Sequence, residues 1–261
     1  MKRGLLAFLL VLALGSSVSV TAAAATYVIV TPSNQQGWSE ADTRPGGNVE
    51  FVADATAPGG DGALQLTTDV TTTAKAQYLH AANTPLANVT ELSYYTKQVS
   101  ALFPLGDPSY QLIVNLLGTA GFTTLVFEPY QNPLQGPVLN NVWQPWDVDQ
   151  GLFWSTRSVT CSGGTVLGTP GGPASYTLAQ IQAMCPSAQV IGFGVNIGSN
   201  NPGYVVRTDL FNFNGTIYDF ELDATCREKA NNRDKDKEKS NNKDKDKLPR
   251  CGNEDSDDDE D

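Results

Sequence analysis

The chain is poor in the groups that most catalytic and anion-binding sites need. Its 261 residues include a single histidine, His80, and two methionines. Between Thr26 and Cys226 only five residues are basic, Arg44, Lys75, Lys97, Arg157 and Arg207, against fifteen Asp and Glu. A face for nucleic acid or heavily sulfated glycan needs clustered Lys and Arg, so both are excluded as partners of this stretch. No G-x-S-x-G nucleophile elbow occurs, and with no close cysteine pair and one histidine, zinc ligation is excluded too. Gly192-x-Gly194 with Gly198 mimics a dinucleotide fingerprint, but no helix follows it and the reading fails. Beyond Leu14 there is no long hydrophobic run, so no membrane span is predicted.

The one such run, Leu5–Leu14 (LLAFLLVLAL), follows Lys2 and Arg3 and precedes Ala22–Ala25. Cations, a short apolar stretch and small residues in that order read as a signal peptide over residues 1–25, removed before Thr26. The protein is therefore expected outside the cell. At the other end, NNRDKDKEKS and NNKDKDKLPR form a near-repeat, followed by an almost wholly acidic terminus from Glu254 to Asp261. This composition cannot bury enough apolar surface to offset ordering, and residues 227–261 are read as a disordered charged tail.

Residues 26–226 are read as one domain. Short runs rich in Val, Ile, Tyr, Phe and Thr recur between Gly/Pro turns such as Arg44-Pro45-Gly46-Gly47 and Asn201-Pro202-Gly203. Some alternate, as Tyr218, Phe220 and Leu222 do with Asp219, Glu221 and Asp223, whereas Leu112–Leu117 is apolar on both faces. One short helix is predicted, with Thr177 and Gln180 as capping box, Leu178, Ile181 and Met184 on one face and Pro186 as its stop. The fold class is all-β, an antiparallel β-sandwich. Asn88-Val89-Thr90 and Asn214-Gly215-Thr216 are formal glycosylation sequons.

Four cysteines in an exported chain imply two disulfides with three possible connectivities. Sequence neighbours suggest Cys161–Cys185 and Cys226–Cys251.

Two constellations could carry function. The first spans Glu128–Trp154 and contains three of the four tryptophans. Flat aromatic faces stack on the C–H faces of sugars while nearby polar groups bond the hydroxyls. Tyr130, Trp143 and Trp146 are the candidate platforms, with Glu128, Gln144 and Asp147 as hydroxyl partners. The second is the closing strand, whose period of two places Asp219, Glu221 and Asp223 on one face. Neighbouring carboxylates there suggest a solvated face, a calcium site or, with Glu128 opposed to Glu221, a glycosidase pair.

Gly37-Trp38, Pro45-Gly46-Gly47-Asn48-Val49-Glu50-Phe51-Val52, Pro58-Gly59-Gly60-Asp61-Gly62-Ala63-Leu64-Gln65-Leu66 and the aromatic-Asp-x-Glu-Leu closing strand carry a family likeness. The chain resembles galactose-binding-like jelly rolls, among them many carbohydrate-binding modules of secreted bacterial enzymes. It also resembles a group of uncharacterised secreted bacterial proteins through Leu125-Val126-Phe127-Glu128-Pro129-Tyr130 and a W-x-x-W-D element. The first resemblance implies a jelly-roll sandwich and a structural calcium ion near the two chain ends, with Asp219 as first ligand, Asp61 next and Glu50 a third. The functional expectation is a secreted, non-catalytic protein that binds a neutral glycan or a cell-surface component. The alternatives are a sandwich-fold glycosidase or polysaccharide lyase, and a purely structural surface or matrix protein.

Overall fold

The computed structural model describes residues 25–103, 105–116, 121–161, 166–167 and 172–223. The expected signal peptide, the charged tail and Cys226–Cys251 fall outside these residues.

Two seven-stranded sheets form a sandwich. The first is built around β15 (Val205–Phe213). One edge of β15 carries β6 (Leu92–Ser100) and then β9 (Gln144–Asp147). Its other edge is shared. Residues 205–208 pair with β4 (Gly62–Thr68), which pairs with β3 (Gly47–Ala53). Residues 211–213 pair with β16 (Thr216–Phe220), which pairs with β1 (Thr26–Val30). β1 and β16 run parallel, a departure from the expected antiparallel pairing. The hairpin between β15 and β16 turns on Asn214 and Gly215, with φ of 55° and 84°. Asn-Gly suits that turn because both positions need positive φ.

The second sheet has the order β13 (Tyr176–Thr177), β10 (Leu152–Ser155), β8 (Phe122–Phe127), β7 (Ser109–Asn115), β14 (Gln189–Ile197), β5 (Ala76–Pro85), β2 (Trp38–Ser39). A separate two-stranded ribbon joins β11 (Val159–Thr160) to β12 (Val166–Leu167).

Side-chain alternation decides what lies between the sheets. Tyr110, Leu112 and Val114 of β7 are buried against Tyr94, Val206 and Phe211 in one core cluster. Trp38 sits at its middle, stacked on Tyr78 at 5.4 Å and edge-on to Phe193, Phe211, Tyr218 and Phe220. Rings from both sheets thus meet on one indole, and edge-to-face geometry sets the positive edge of one ring against the negative face of the other.

The helix α1 (Leu178–Met184) forms as its sequence predicts. Thr177 accepts from the Gln180 amide, Gln180 reaches back to the Thr177 amide, and Leu178 and Ile181 are buried. Cys185 at its end is bonded to Cys161, with Cα atoms 4.9 Å apart. No helix among the described residues is long and apolar enough to cross a membrane.

Candidate functional site

The outer face of the second sheet holds a groove of about 520 Å³. Its floor is set by register. Gln111 and Ile113 of β7 point away from the core, opposite Val126 and Thr124 of β8, and Trp154 of β10 lies beside Val126. On the other side of β7, Gln111 and Ile113 face Gly194 and Gly192 of β14, which in turn lie beside Leu79 and Ala81 of β5. Both glycines are buried, Gly192 against the Ile113 side chain and Gly194 against that of Leu79. A Cβ on Gly194 would meet the Tyr78 carbonyl oxygen at 2.2 Å, so glycine is required there. Asn196 and Gln77 continue the floor, and the Asn196 amide donates to Gln77 Oε1 at 3.0 Å.

One end of the groove is aromatic. Tyr130, 45 % exposed, and Trp154 line it together with Glu128. Glu128 accepts from the Trp154 indole N–H at 2.8 Å and from the Gln131 amide. Gln131 Oε1 is held in turn by the Ala174 amide at 2.6 Å. Burial pushes the Glu128 carboxyl above the usual range, and the bonds from Trp154 and Gln131 partly offset this. The Tyr130 and Trp154 side chains offer flat apolar area beside fixed hydrogen-bonding groups.

At the groove edge, Asp107 lies on the segment before β7. It accepts from the Thr96 hydroxyl, which itself accepts the Trp146 indole N–H at 2.7 Å. Asp107 Oδ1 is buried with no hydrogen-bond partner, and desolvation raises this carboxyl to about 8.

The predicted aromatic platforms do not come together. Tyr130 is in the groove. Trp146 is wholly buried in the core, because β9 pairs with β6 and sets Trp146 opposite Tyr94. It cannot stack on a ligand, which corrects the expectation for that residue. Trp143 is half-buried near the Lys97 ammonium, 5.9 Å from its ring centre, by the first sheet. Gln144 is used locally, accepting from Leu139 N at 2.6 Å and donating to Pro137 O at 2.9 Å. Asp147 is exposed on β9, its amide and carbonyl bonded to Gln135. The second platform of the groove is Trp154. The Gly192-x-Gly194 pair inside a strand marks close backbone approach between β14 and β5 rather than a phosphate loop.

Of the three closing-strand carboxyls, Asp219 and Glu221 are buried and only Asp223 is exposed. The loop from Asp54 to Asp61 folds over the outer face of the first sheet. Asp54 pairs with Lys97 at 3.0 Å and Arg207 at 2.8 Å; burial pushes its carboxyl up, but hydrogen bonds from Thr56, Arg207 and Lys97 outweigh this and hold it well below the usual range. Gly59 N donates to Asp209 Oδ2 at 3.0 Å. Asp209, Asp219 and Glu221 are all buried beneath this loop. Burial lifts Asp209 well above its ordinary value and Glu221 to about 7. Glu221 belongs to this side of the sandwich and Glu128 to the groove on the other, so the pair expected for a glycosidase is not opposed across one cleft. Of the residues expected to hold calcium, Glu50 stands apart, bonded to Gln65 on the neighbouring strand at 2.7 Å. No group of three or more His, Cys, Asp and Glu among the described residues is disposed to hold a metal ion.

No protein-family model matches the chain, and no curated protein matches it. Solved structures do. A family 11 carbohydrate-binding module from Clostridium thermocellum, in complex with a β-1,3-1,4-mixed-linked tetrasaccharide, is similar over 70% of this chain and 91% of its own, with 10% identity and a TM-score of 0.41. The CBM22-1 xylan-binding domain of Paenibacillus barcinonensis Xyn10C is similar over 71% of this chain and 87% of its own, with 15% identity and a TM-score of 0.34. An arabinose-bound α-L-arabinofuranosidase is similar over 72% of this chain but only 26% of its own length, with 8% identity and a TM-score of 0.40. At these identities the likeness is one of architecture alone.

Proposed function

We propose that the protein is a secreted, non-catalytic glycan-binding module that takes a sugar chain along the outer face of its second sheet. The observation that carries this reading is the groove itself. It joins exposed Tyr130 and half-buried Trp154 to the side chains of Leu79, Ile113 and Val126 and to the amides of Gln77, Gln111 and Asn196. Its volume lies in the range of ligand sites, and its mixture of apolar and convergent polar groups suits ring faces and hydroxyls. Neutral sugars stack over Tyr130 and Trp154, and extracellular or cell-surface glycans are the partners an exported protein meets. A glycan array with the purified mature chain tests the reading. Binding that is lost in Trp154→Ala supports it, whereas an array without a binder overturns it. Release of reducing ends from a bound glycan would overturn the non-catalytic part alone.

Calcium is a separate proposal. Glu221 Oε1 is buried without a hydrogen-bond partner beneath the Gly59–Asp61 loop, beside Asp219. Two carboxyls supplemented by loop carbonyls, Asp61 included, would offer the hard oxygen ligands that calcium prefers. Calcium raising the melting temperature above that in chelator supports the site, and superimposable melts remove it.

A further inference from the structure

The groove has a second, cationic end. Arg44 lies on a segment that runs beside the start of β5, where its amide donates to the Lys75 carbonyl at 2.9 Å. Both side chains line the groove, together with Asp42, Ser199 and Asn201. Arg44 Nη1 donates to Ser199 Oγ at 3.1 Å, and Arg44 Nε lies 3.9 Å from Asp42. The Lys75 ammonium is also paired with Asp42. One carboxylate thus orients two cations, and the cluster keeps a formal charge of +1. The Arg44 side chain is 50% exposed, so its guanidinium is open to a ligand in the groove.

The distribution of positive charge makes this end distinctive. Lys97 and Arg207 are locked onto Asp54 across the other sheet, and Arg157 covers the Phe122 ring at 4.2 Å. Arg44 and Lys75 are the only two of the five cations among the described residues that line the groove. They do so in a domain whose formal excess is ten negative charges. Such a body repels a densely charged polyanion, yet one groove end attracts a single negative group. A guanidinium fork matches the planar geometry of a carboxylate, and a partly desolvated pair strengthens that bond.

From Trp154 on β10 to Lys75 at the start of β5 the groove crosses four strand spacings of roughly 4.8 Å, or about 19 Å. That length accommodates several linked sugar rings. We infer that the groove takes a mixed glycan in which neutral sugars stack on Tyr130 and Trp154 while the carboxylate of a uronic acid residue is held by Arg44 and Lys75. The inference rests on the groove being the glycan site and adds the ligand class.

The test uses matched polysaccharides: a glucuronate-branched xylan and a partly esterified polygalacturonate, each also in a carboxyl-reduced form, with a panel of neutral glycans beside them. Affinity is measured for the wild-type mature chain, Arg44→Gln, Lys75→Gln and Tyr130→Ala, each checked for folding by its melt. The expected result is at least tenfold tighter binding of one uronate form than of its reduced counterpart, weakening as salt is raised. Arg44→Gln and Lys75→Gln bring that ratio towards one, and Arg44→Lys restores part of it. Tyr130→Ala weakens both forms and leaves the ratio in place. Equal binding of native and reduced forms, or a preference that survives Arg44→Gln, overturns the carboxylate subsite while leaving the groove standing. Binding of neutral glycans alone does the same. Binding of none of these probes overturns the glycan reading and the subsite with it.

Discussion

Glu128 accepts the indole N–H of Trp154 at 2.8 Å, and this bond fixes a ring on the outer face of the second sheet. The two residues are 26 apart in sequence and meet because β10 pairs with β8. A ring held this way loses little further freedom when a sugar stacks on it, which favours affinity.

Trp154→Ala should therefore weaken glycan binding by tenfold or more while shifting the melting temperature by only a few degrees. Glu128→Gln keeps an acceptor for the indole and should lose less. Calorimetric titration of both variants with an array-selected glycan checks the order. A larger loss in Glu128→Gln would mean that the carboxylate itself contacts the ligand.

Trp146 should behave oppositely. Its ring is wholly buried and its N–H bonds Thr96 at 2.7 Å. Trp146→Phe removes that bond and part of the packing, at a cost of about 1–3 kcal/mol of stability. Urea unfolding should show the loss, and glycan affinity of the folded fraction should not change.

Asp107 gives the stability a pH dependence with a definite sign. Its folded value lies near 8 against an ordinary 3.8, so the unfolded chain gives up this proton first as pH rises. Its contribution is complete below about pH 4 and is lost progressively towards pH 8, with a ceiling on the order of 5 kcal/mol. Asp107→Asn should flatten that decline. Melts of wild type and variant at pH 4.5 and 8 check it, the variant gaining on the wild type at the higher pH.

The Cys161–Cys185 bond ties the end of α1 to the segment after β11 and spans 24 residues. Chain-entropy reasoning assigns a loop of that size about 3 kcal/mol. Cys161→Ser with Cys185→Ser should lower the denaturant midpoint accordingly and leave the aromatic end of the groove able to bind.

The sandwich was legible because local pattern and structure agreed. β16 begins where the alternation of Tyr218 and Phe220 with Asp219 puts it, though it ends at Phe220 rather than running on to Asp223, and the Thr177–Gln180 capping box marks the helix start to the residue. The groove was far less legible. Leu112–Leu117 reads as apolar on both faces, so nothing local says that Ile113 faces a groove and Leu112 the core. Gln77 and Asn196 are single polar residues in otherwise apolar runs, and they meet across 119 residues. Burial of Asp209, Asp219 and Glu221 depends on the Asp54–Asp61 loop, whose Gly59 reaches Asp209 across 150 residues. Trp146 misled for a related reason. A tryptophan in a polar loop context looks exposed until β9 is seen to pair with β6.

The most direct test of the groove is residue-resolved. Backbone amide shifts of the mature chain would be followed by NMR while an array-selected glycan is titrated in. The expected perturbations concentrate at Gln77, Gln111, Thr124, Tyr130, Trp154 and Asn196. Perturbations centred instead on Trp143, Lys97 and Arg207 of the first sheet, with the groove residues unmoved, would contradict it.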